Sequence, residues 1–350
     1  MNKYALIFLA ASIAFFVTAC LGFVVVPIMK RLKAGQTILK EGPESHKIKE
    51  GTPTMGGIMF IIGVTVAVIV SLATARSGGL NIIAGDLPEP TFMKTSFWSG
   101  IFMALAFGLV GFADDLIIVK KKRGEGLSVM QKTFLQLVVI FSYLASIYLG
   151  MNGKPYMHIP FVGNVEMGFF FWIFGAVVFY AATNAVNFTD GVDGLCSSVT
   201  ITVAVSLLTI ALMRKMFGVG LMAAALAGGC GGFLVWNRNP AKIFMGDTGS
   251  LFLGGMILAM AYSLNTPLLL LPIGIVYVAE GASVAMQRGY YKLTGGKRIF
   301  KMSPIHHHFE LSGWGEKKIV IVFTAVSLVG CILGILIEYL DLMSSASIGV

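Results

Sequence analysis

Charge is scarce in this chain. Only 12% of its 350 residues are Asp, Glu, Lys or Arg, about half the share of an ordinary soluble domain. Soluble globular, disordered and fibrous classes are excluded on that ground. Cysteine is also rare. Cys20, Cys196, Cys230 and Cys331 form no C-x-x-C pair, and all lie in or beside apolar runs. They read as buried thiols rather than as a disulfide framework or a zinc site. Neither G-x-x-x-x-G-K-[ST] nor G-x-G-x-x-G occurs, which argues against a P-loop ATPase and a Rossmann cofactor. The chain also has no internal repeat and no soluble domain, so residues 1–350 read as one integral membrane domain.

What is present is apolar surface. Hydrophobic residues make up 56%, and the mean hydropathy is +0.84 over the whole length. Such a value requires many apolar stretches, as in a polytopic all-α membrane protein. Ten candidate spans stand out, near 4–29, 56–74, 97–113, 129–150, 168–182, 195–213, 218–236, 251–264, 268–286 and 319–340. Two of them, 168–182 and 251–264, are short and are expected to extend into polar flanks. Val17-Thr18-Ala19-Cys20 has the look of a lipoprotein cleavage box, but the surrounding apolar run is too long and further spans follow, so it reads as a retained first span.

Basic residues set the expected orientation. Of 26 Lys and Arg, 20 fall in the loops 30–55, 114–132, 237–249 and 287–318. The positive-inside rule makes that face cytoplasmic and, with an even span count, places both termini outside. The net charge of +9 then points to these loops and to anionic substrates, not to nucleic acid.

Five polar clusters fall on that same face, whereas incidental polarity would scatter over both. Lys49 to Gly57 contains Thr54 and a Gly pair suited to an anion at a helix start. Asp114 and Asp115 are adjacent carboxylates at membrane depth, where ionisable groups are costly. Adjacent side chains on a helix diverge by about 100°, so the two are expected to have different roles. Their motif lacks the third acid of D-D-x-x-D. Asn187, Asp190 and Asp193 recur at three-residue spacing, with a backbone turn expected near Gly191. Asn237 to Ser250 includes Phe244, which suits base stacking. In it Asp247 suits Mg²⁺, and Asp247 or Thr248 is expected to cap the next helix. Finally, His306, His307 and His308 form an internal run whose divergence disfavours a single metal ion and favours phosphate contact or proton transfer.

These stretches carry a resemblance. GTPTMGG (51–57), FADD (112–115), NAVNFTDGVDGL (184–195), NPAKIFMGDTGSL (239–251) and SPIHHHFE (303–310) resemble the polyprenyl-phosphate N-acetylhexosamine-1-phosphate transferases. The SPIHHHFE and NFTDG-x-DGL forms point to their phospho-N-acetylmuramoyl-pentapeptide-transferase branch. The resemblance spans essentially the whole chain, and its only departure is conservative, Val192 where Leu is common. It implies transfer from UDP-N-acetylmuramoyl-pentapeptide to undecaprenyl phosphate, giving lipid I and UMP for peptidoglycan synthesis. It also implies Mg²⁺, a multi-pass protein of the bacterial plasma membrane with a cytoplasmic active site, and a homodimer. By the same resemblance Asp247 is the Mg²⁺ ligand, and Asp114 and Asp115 are the catalytic pair, with Asp114 deprotonating the lipid phosphate. His306 joins them as a catalytic residue. Lys49, Thr54, Asn187, Asp190, Asp193, Asn237 and Phe244 serve the donor nucleotide, and Gln287, His307 and His308 form a flanking wall. The competing readings are a UDP-N-acetylglucosamine-using relative, a secondary transporter with intramembrane acids, and a non-catalytic scaffold.

Overall fold

A computed structural model describes residues 2–32, 51–84, 89–121 and 126–348. Lys49 lies outside the described residues. The chain is a helical bundle built from α1 (Lys3–Arg31), α2 (Gly57–Ser77), α3 (Pro90–Lys121), α4 (Val129–Gly150), α5 (Phe170–Phe188), α6 (Leu195–Met213), α7 (Phe217–Asn237) and α8 (Gly246–Ser263). A 3₁₀ turn leads into α9 (Leu270–Ile273), followed by α10 (Ile275–Leu293), the short α11 (Ile305–Glu310) and α12 (Glu316–Ile348).

Among the described residues, eight helices are long and apolar enough to cross a membrane, or up to nine if the bent pair Pro267–Ile273 and Ile275–Leu293 counts as one. Two of the ten expected spans therefore differ from plain crossings. The run 268–286 is not one straight helix but is bent by 87°. Pro272 and Gly274 flank the break, and such residues end or kink a helix. The run 251–264 becomes α8, which extends back to Gly246 as expected. It misses the composition of a span because its first turn carries Gly, Asp, Thr and Ser. Yet every residue of α8 from Thr248 to Ser263 is buried. A helix apolar all round can be satisfied only by neighbours on every side, and α8 packs most extensively against α3 and also against α5 and α2.

The outer helices show the reverse pattern. Phe8, Phe16 and Phe23 on α1 are all exposed, as a lipid-facing surface requires. Cys20 lies on that surface, so the expectation of four buried thiols holds for Cys196, Cys230 and Cys331 only. A second difference is a small antiparallel hairpin between α4 and α5, β1 (Tyr156–Ile159) paired with β2 (Gly163–Glu166). Asp341 of α12 holds it, accepting the Phe161 N–H at 2.6 Å and lying 2.6 Å from His158 Nε2. Close by, Glu338 of α12 forms a buried ion pair with Arg214 at the end of α6. At the opposite end of the bundle lie the five motif segments.

Candidate active site

The site begins with the length of α3. It continues past Phe112 to Lys121, so Asp114 and Asp115 are borne on a helix rather than at its end. Being adjacent, they point in different directions. Asp115 faces the start of α8. Its carboxylate accepts the N–H of Asp247 at 3.2 Å, the N–H of Thr248 at 2.9 Å and the Thr248 hydroxyl at 2.6 Å. The first-turn N–H groups of a helix have no internal partner, and here a neighbouring helix supplies one. This corrects the expectation that Asp247 or Thr248 caps α8, because the N-cap residue is Met245 and it makes no side-chain bond. Two glycines permit the approach. At Gly111, a Cβ would collide with the backbone carbonyl of Asp247. Gly246 has φ +70°, and a Cβ there would meet Thr54 Oγ1 at 2.7 Å as well as the Asp115 carboxylate.

Asp114 faces the other way. One of its oxygens accepts the Leu127 N–H at 2.7 Å, and the other lies 3.9 Å from Lys132 Nζ. The same ammonium is in direct ion pair with Asp247. Asn187, near the end of α5, donates to Asp247 Oδ1 at 2.7 Å and to Ser250 Oγ at 2.7 Å. Asp114, Asp247, Lys132 and Asn187 thus form one cluster drawn from four helices. Two carboxylates facing one ammonium leave a net negative charge. That donor set fits Mg²⁺, which takes one or two carboxylates and completes its shell with phosphate oxygens and water. Among the described residues there is no group of three or more His, Cys, Asp or Glu that could hold a metal by itself.

Around the cluster the other motifs interlock. The segment 53–57 is stitched to 244–245 by three backbone bonds, Phe244 N–H to Pro53 (2.8 Å), Gly56 N–H to Phe244 (2.8 Å) and Gly57 N–H to Met245 (2.9 Å). Thr54 is buried in that seam, and the Phe244 side chain is half-buried beside it. Between α5 and α6 the backbone turns over 189–194, as expected, with Gly194 at φ +78°. Asp190 sits half-buried in the turn. Asn237 joins two loops, accepting the Gly194 N–H at 3.0 Å and donating to the Ile243 carbonyl at 2.9 Å. Asp193 does the same, accepting the Ala241 N–H at 2.9 Å and the Asn239 side chain at 3.2 Å. Asn237 and Asp193 therefore brace the 189–194 turn against the 238–245 segment.

The three histidines diverge. His306 is fully buried, with Nδ1 3.1 Å from Glu280 Oε1, and its ring edge lies where a Gly191 side chain would be. His307 Nδ1 pairs with Glu310 at 2.6 Å. His308 accepts the Lys301 N–H at 3.2 Å and meets Phe300 edge-on. Gln287 ties α10 to the following loop. It accepts the N–H groups of Ile299 and Phe300, each at 3.0 Å, and donates to the Phe300 carbonyl at 3.1 Å. Of these residues, His306 packs directly against Gly191.

Three members of the arrangement are not singled out by the sequence. Lys132 looks like one more loop cation, and Ser250 lies within the 239–251 motif but reads as an ordinary residue of the α8 start. Glu280 carried a usable signal, being an isolated acid inside an apolar run.

An apolar groove of about 680 Å³ opens between α5, α8 and the bent α9–α10 pair. Tyr180, Asn184 and Phe188 line one wall, Ile257 and Leu271 others, and Arg288 lies at one end. Asn184 and Phe188 flank Asn187, the residue that holds Asp247.

Comparison with known proteins finds relatives over nearly the whole chain. Residues 97–265 match the model of glycosyl transferase family 4, and residues 49–61 match phospho-N-acetylmuramoyl-pentapeptide-transferase signature 1. The chain is 46% identical to the phospho-N-acetylmuramoyl-pentapeptide-transferase of Acetivibrio thermocellus over 326 residues, 92% of each chain. It is 43% identical to that of Desulforamulus reducens, covering 95% of this chain and 96% of the relative. For the Staphylococcus epidermidis protein of the same name the identity is 42%, over 94% of this chain and 98% of the relative.

Proposed function

The chain belongs to the phospho-N-acetylmuramoyl-pentapeptide-transferase family, and from that premise we propose that it transfers phospho-N-acetylmuramoyl-pentapeptide from UDP-N-acetylmuramoyl-pentapeptide to undecaprenyl phosphate, yielding lipid I with UMP as the leaving group. The protein is an enzyme with multiple membrane-spanning helices. The proposal extends to Mg²⁺ dependence, to a homodimer, and to an active site on the cytoplasmic face of the bacterial plasma membrane with both termini outside.

One observation carries the reading. The carboxylate–lysine cluster lies beside an apolar groove whose wall residues Asn184 and Phe188 flank Asn187. A polyprenyl chain needs such a groove, and its phosphate needs a place where charge is neutralised. Phosphoryl transfer demands positioning and electrostatic stabilisation more than covalent chemistry. Asp247 would hold Mg²⁺, with Asp114 beside it, and the bound ion would supply charge neutralisation to the diphosphate. Asp114 takes the proton of the incoming lipid phosphate, one of its oxygens being held by Leu127 while the other faces the cluster. Lys132 balances the carboxylates at rest and turns to the phosphates when substrate arrives. Asn187 fixes the Asp247 carboxylate, and Asp115 fixes the helix start that carries it. Phe244 offers a face to the uracil ring. Direct attack by the lipid phosphate is favoured over a covalent enzyme intermediate, because a phosphate is already a competent nucleophile.

The test is to present the purified protein with undecaprenyl phosphate, Mg²⁺ and either UDP-N-acetylmuramoyl-pentapeptide or UDP-N-acetylglucosamine. The account expects lipid-linked product from the first donor only. Product from the second alone would move the chain's substrate to the related sugar. Solute uptake by proteoliposomes, without any lipid-linked product, would favour a transporter.

A further inference from the structure

The β1–β2 hairpin stands at the far end of the bundle from the candidate active site, yet it is held at several points. At its base the Tyr156 hydroxyl donates to Glu89, just ahead of α3, at 2.7 Å. The His158 N–H donates to the Asn265 carbonyl, just after α8, at 3.1 Å. Towards its tip the buried Asp341 carboxylate of α12 receives the Phe161 N–H, and His158 lies between that carboxylate and Asn164 Oδ1. The Val162 N–H closes the turn on the Ile159 carbonyl at 3.0 Å. Three helix ends thus hold one short ribbon. Its tip is unlike a turn built for water. Residues 159–163 read Ile-Pro-Phe-Val-Gly, without a charge, where turns favour Gly, Asn, Asp and Ser. Phe161 and Val162 are 60% and 71% exposed, and among the described residues neither joins the buried core. Phe161 also has φ +65°, a backbone state that bulky L-residues adopt only under constraint. The bond to Asp341 is that constraint. A strained backbone and a buried carboxylate therefore hold outward two apolar side chains that the chain itself leaves largely uncovered.

Depth identifies what covers them. α12 starts on the side of the candidate active site, where Glu316 meets Asn239 at 3.3 Å, and its apolar part opens at Ile319 after Lys317 and Lys318. From Ile319 to Asp341 the helix rises about 33 Å at 1.5 Å per residue. The hydrocarbon core of a bilayer is about 30 Å thick, and an ordinary tilt shortens the rise only slightly. Asp341, and with it the Phe161 backbone, therefore stands at the boundary between acyl chains and headgroups in the far leaflet. The surface around it is continuous with lipid. Tyr339, Leu340 and Met343 of α12 are exposed beside Asp341, and Phe169 and Phe170 are exposed where α5 begins after β2. Apolar side chains at this level gain by entering the headgroup–acyl boundary. We propose that the hairpin tip is a lipid anchor, with Phe161 and Val162 inserted among the phospholipids of the leaflet opposite the candidate active site. The proposal needs only the membrane-spanning helices and stands apart from the transferase reading. Because the hairpin also binds Asn265, two residues before Pro267 of the apolar groove, the anchor fixes the far end of that groove as well.

The experiment places one nitroxide label at a time on the full-length protein, in vesicles of phosphatidylethanolamine and phosphatidylglycerol. Cys20, the exposed native thiol, is first changed to Ser, and the three buried thiols stay. Val162→Cys reports the tip. Leu340→Cys, on the exposed face of α12, gives the lipid reference, and the exposed Lys154→Cys gives the water reference. Power saturation of the electron paramagnetic resonance signal then compares access by oxygen, which concentrates in the bilayer, with access by a water-soluble nickel chelate. At 162 oxygen should exceed nickel, as at 340, whereas at 154 nickel should exceed oxygen. Phe161→Cys repeats the reading at the neighbouring residue and should agree with 162. Nickel access at 162 and 161 equal to that at 154 would overturn the proposal and leave the tip in water. A label at 162 shielded from both reagents would overturn it in favour of a protein contact, such as a second copy of the chain.

Discussion

Asp114 and Asp115 are neighbours in sequence, yet their surroundings assign them opposite roles, and paired substitutions separate the two. Asp115 is 4% exposed and accepts three hydrogen bonds from the first residues of α8. Asp115→Asn keeps the shape but removes the charge facing a helix N-terminus, and it turns one acceptor into a donor facing N–H groups. Hydrogen bonds to charged groups contribute about 1.5–3 kcal/mol each and are not additive, so a net loss of about 2–4 kcal/mol is expected. Asp114→Asn retains an oxygen that accepts from Leu127 and sits beside solvent-reachable Lys132. Asp114 is itself buried, at 6% exposed, but accepts one hydrogen bond where Asp115 accepts three, so its loss of stability should be the smaller, about 1–2 kcal/mol. Turnover, however, should fall by about 10²–10⁴, the range for losing a positioned acid–base group. The assay is thermal unfolding of each purified variant in one detergent, alongside its rate of UMP release. Asp115→Asn should shift the unfolding midpoint clearly downward, and whatever protein stays folded should keep measurable turnover. If Asp115→Asn unfolds like wild type but is as inactive as Asp114→Asn, the capping argument is wrong and both carboxylates do chemistry.

Three further outcomes are expected. Asp247→Asn keeps size and hydrogen bonding to Asn187 but removes the metal-holding charge, so turnover should collapse without rescue by excess Mg²⁺ while the protein still folds; near-normal activity would remove Asp247 from the site. Phe244→Ala should weaken nucleotide binding about 5- to 150-fold, as stacking contributes about 1–3 kcal/mol per base, measured by calorimetry with UMP or the UDP-sugar. Among the histidines, His306→Ala should cost more than about tenfold in turnover, because it empties the space between Glu280 and Gly191, whereas His308→Ala at the loop surface should cost much less; equal effects from the two would sink this division.

Much of the site is legible in the sequence because its chemistry is concentrated in short segments. The spacing of Asn187, Asp190 and Asp193, the glycines that turn the backbone, and the start of α8 all announce polar structure at a membrane edge. What sequence reasoning cannot supply is direction. The two adjacent aspartates look like a pair, and only the crossing of α3 over α8 at Gly111 sends Asp115 to the helix start. Lys132 carries no motif of its own, and it becomes a site residue because α4 begins alongside the end of α3. Asn237 and Asp193 suggest ligand contacts by residue type, whereas their hydrogen bonds join two loops. Hydropathy finds the apolar run of α8 but not its surroundings, since composition does not distinguish lipid neighbours from protein ones. Glu280 is the instructive case. An acid within an apolar run is a signal by itself, and its partner His306 lies 26 residues away in a different motif.

The central claim is that the Asp114–Asp247–Lys132 cluster transfers a sugar phosphate to a lipid phosphate presented by the neighbouring groove. The most direct measurement follows doubly labelled UDP-N-acetylmuramoyl-pentapeptide with the purified protein, undecaprenyl phosphate and Mg²⁺, counting UMP and lipid-linked product together. The account predicts equal amounts of the two, none when the metal is chelated, none without the lipid, and almost none with Asp114→Asn. UMP released or exchanged back into the donor when no lipid is present would contradict direct attack. Product formed at the wild-type rate by Asp114→Asn would contradict the placement of the chemistry at this cluster.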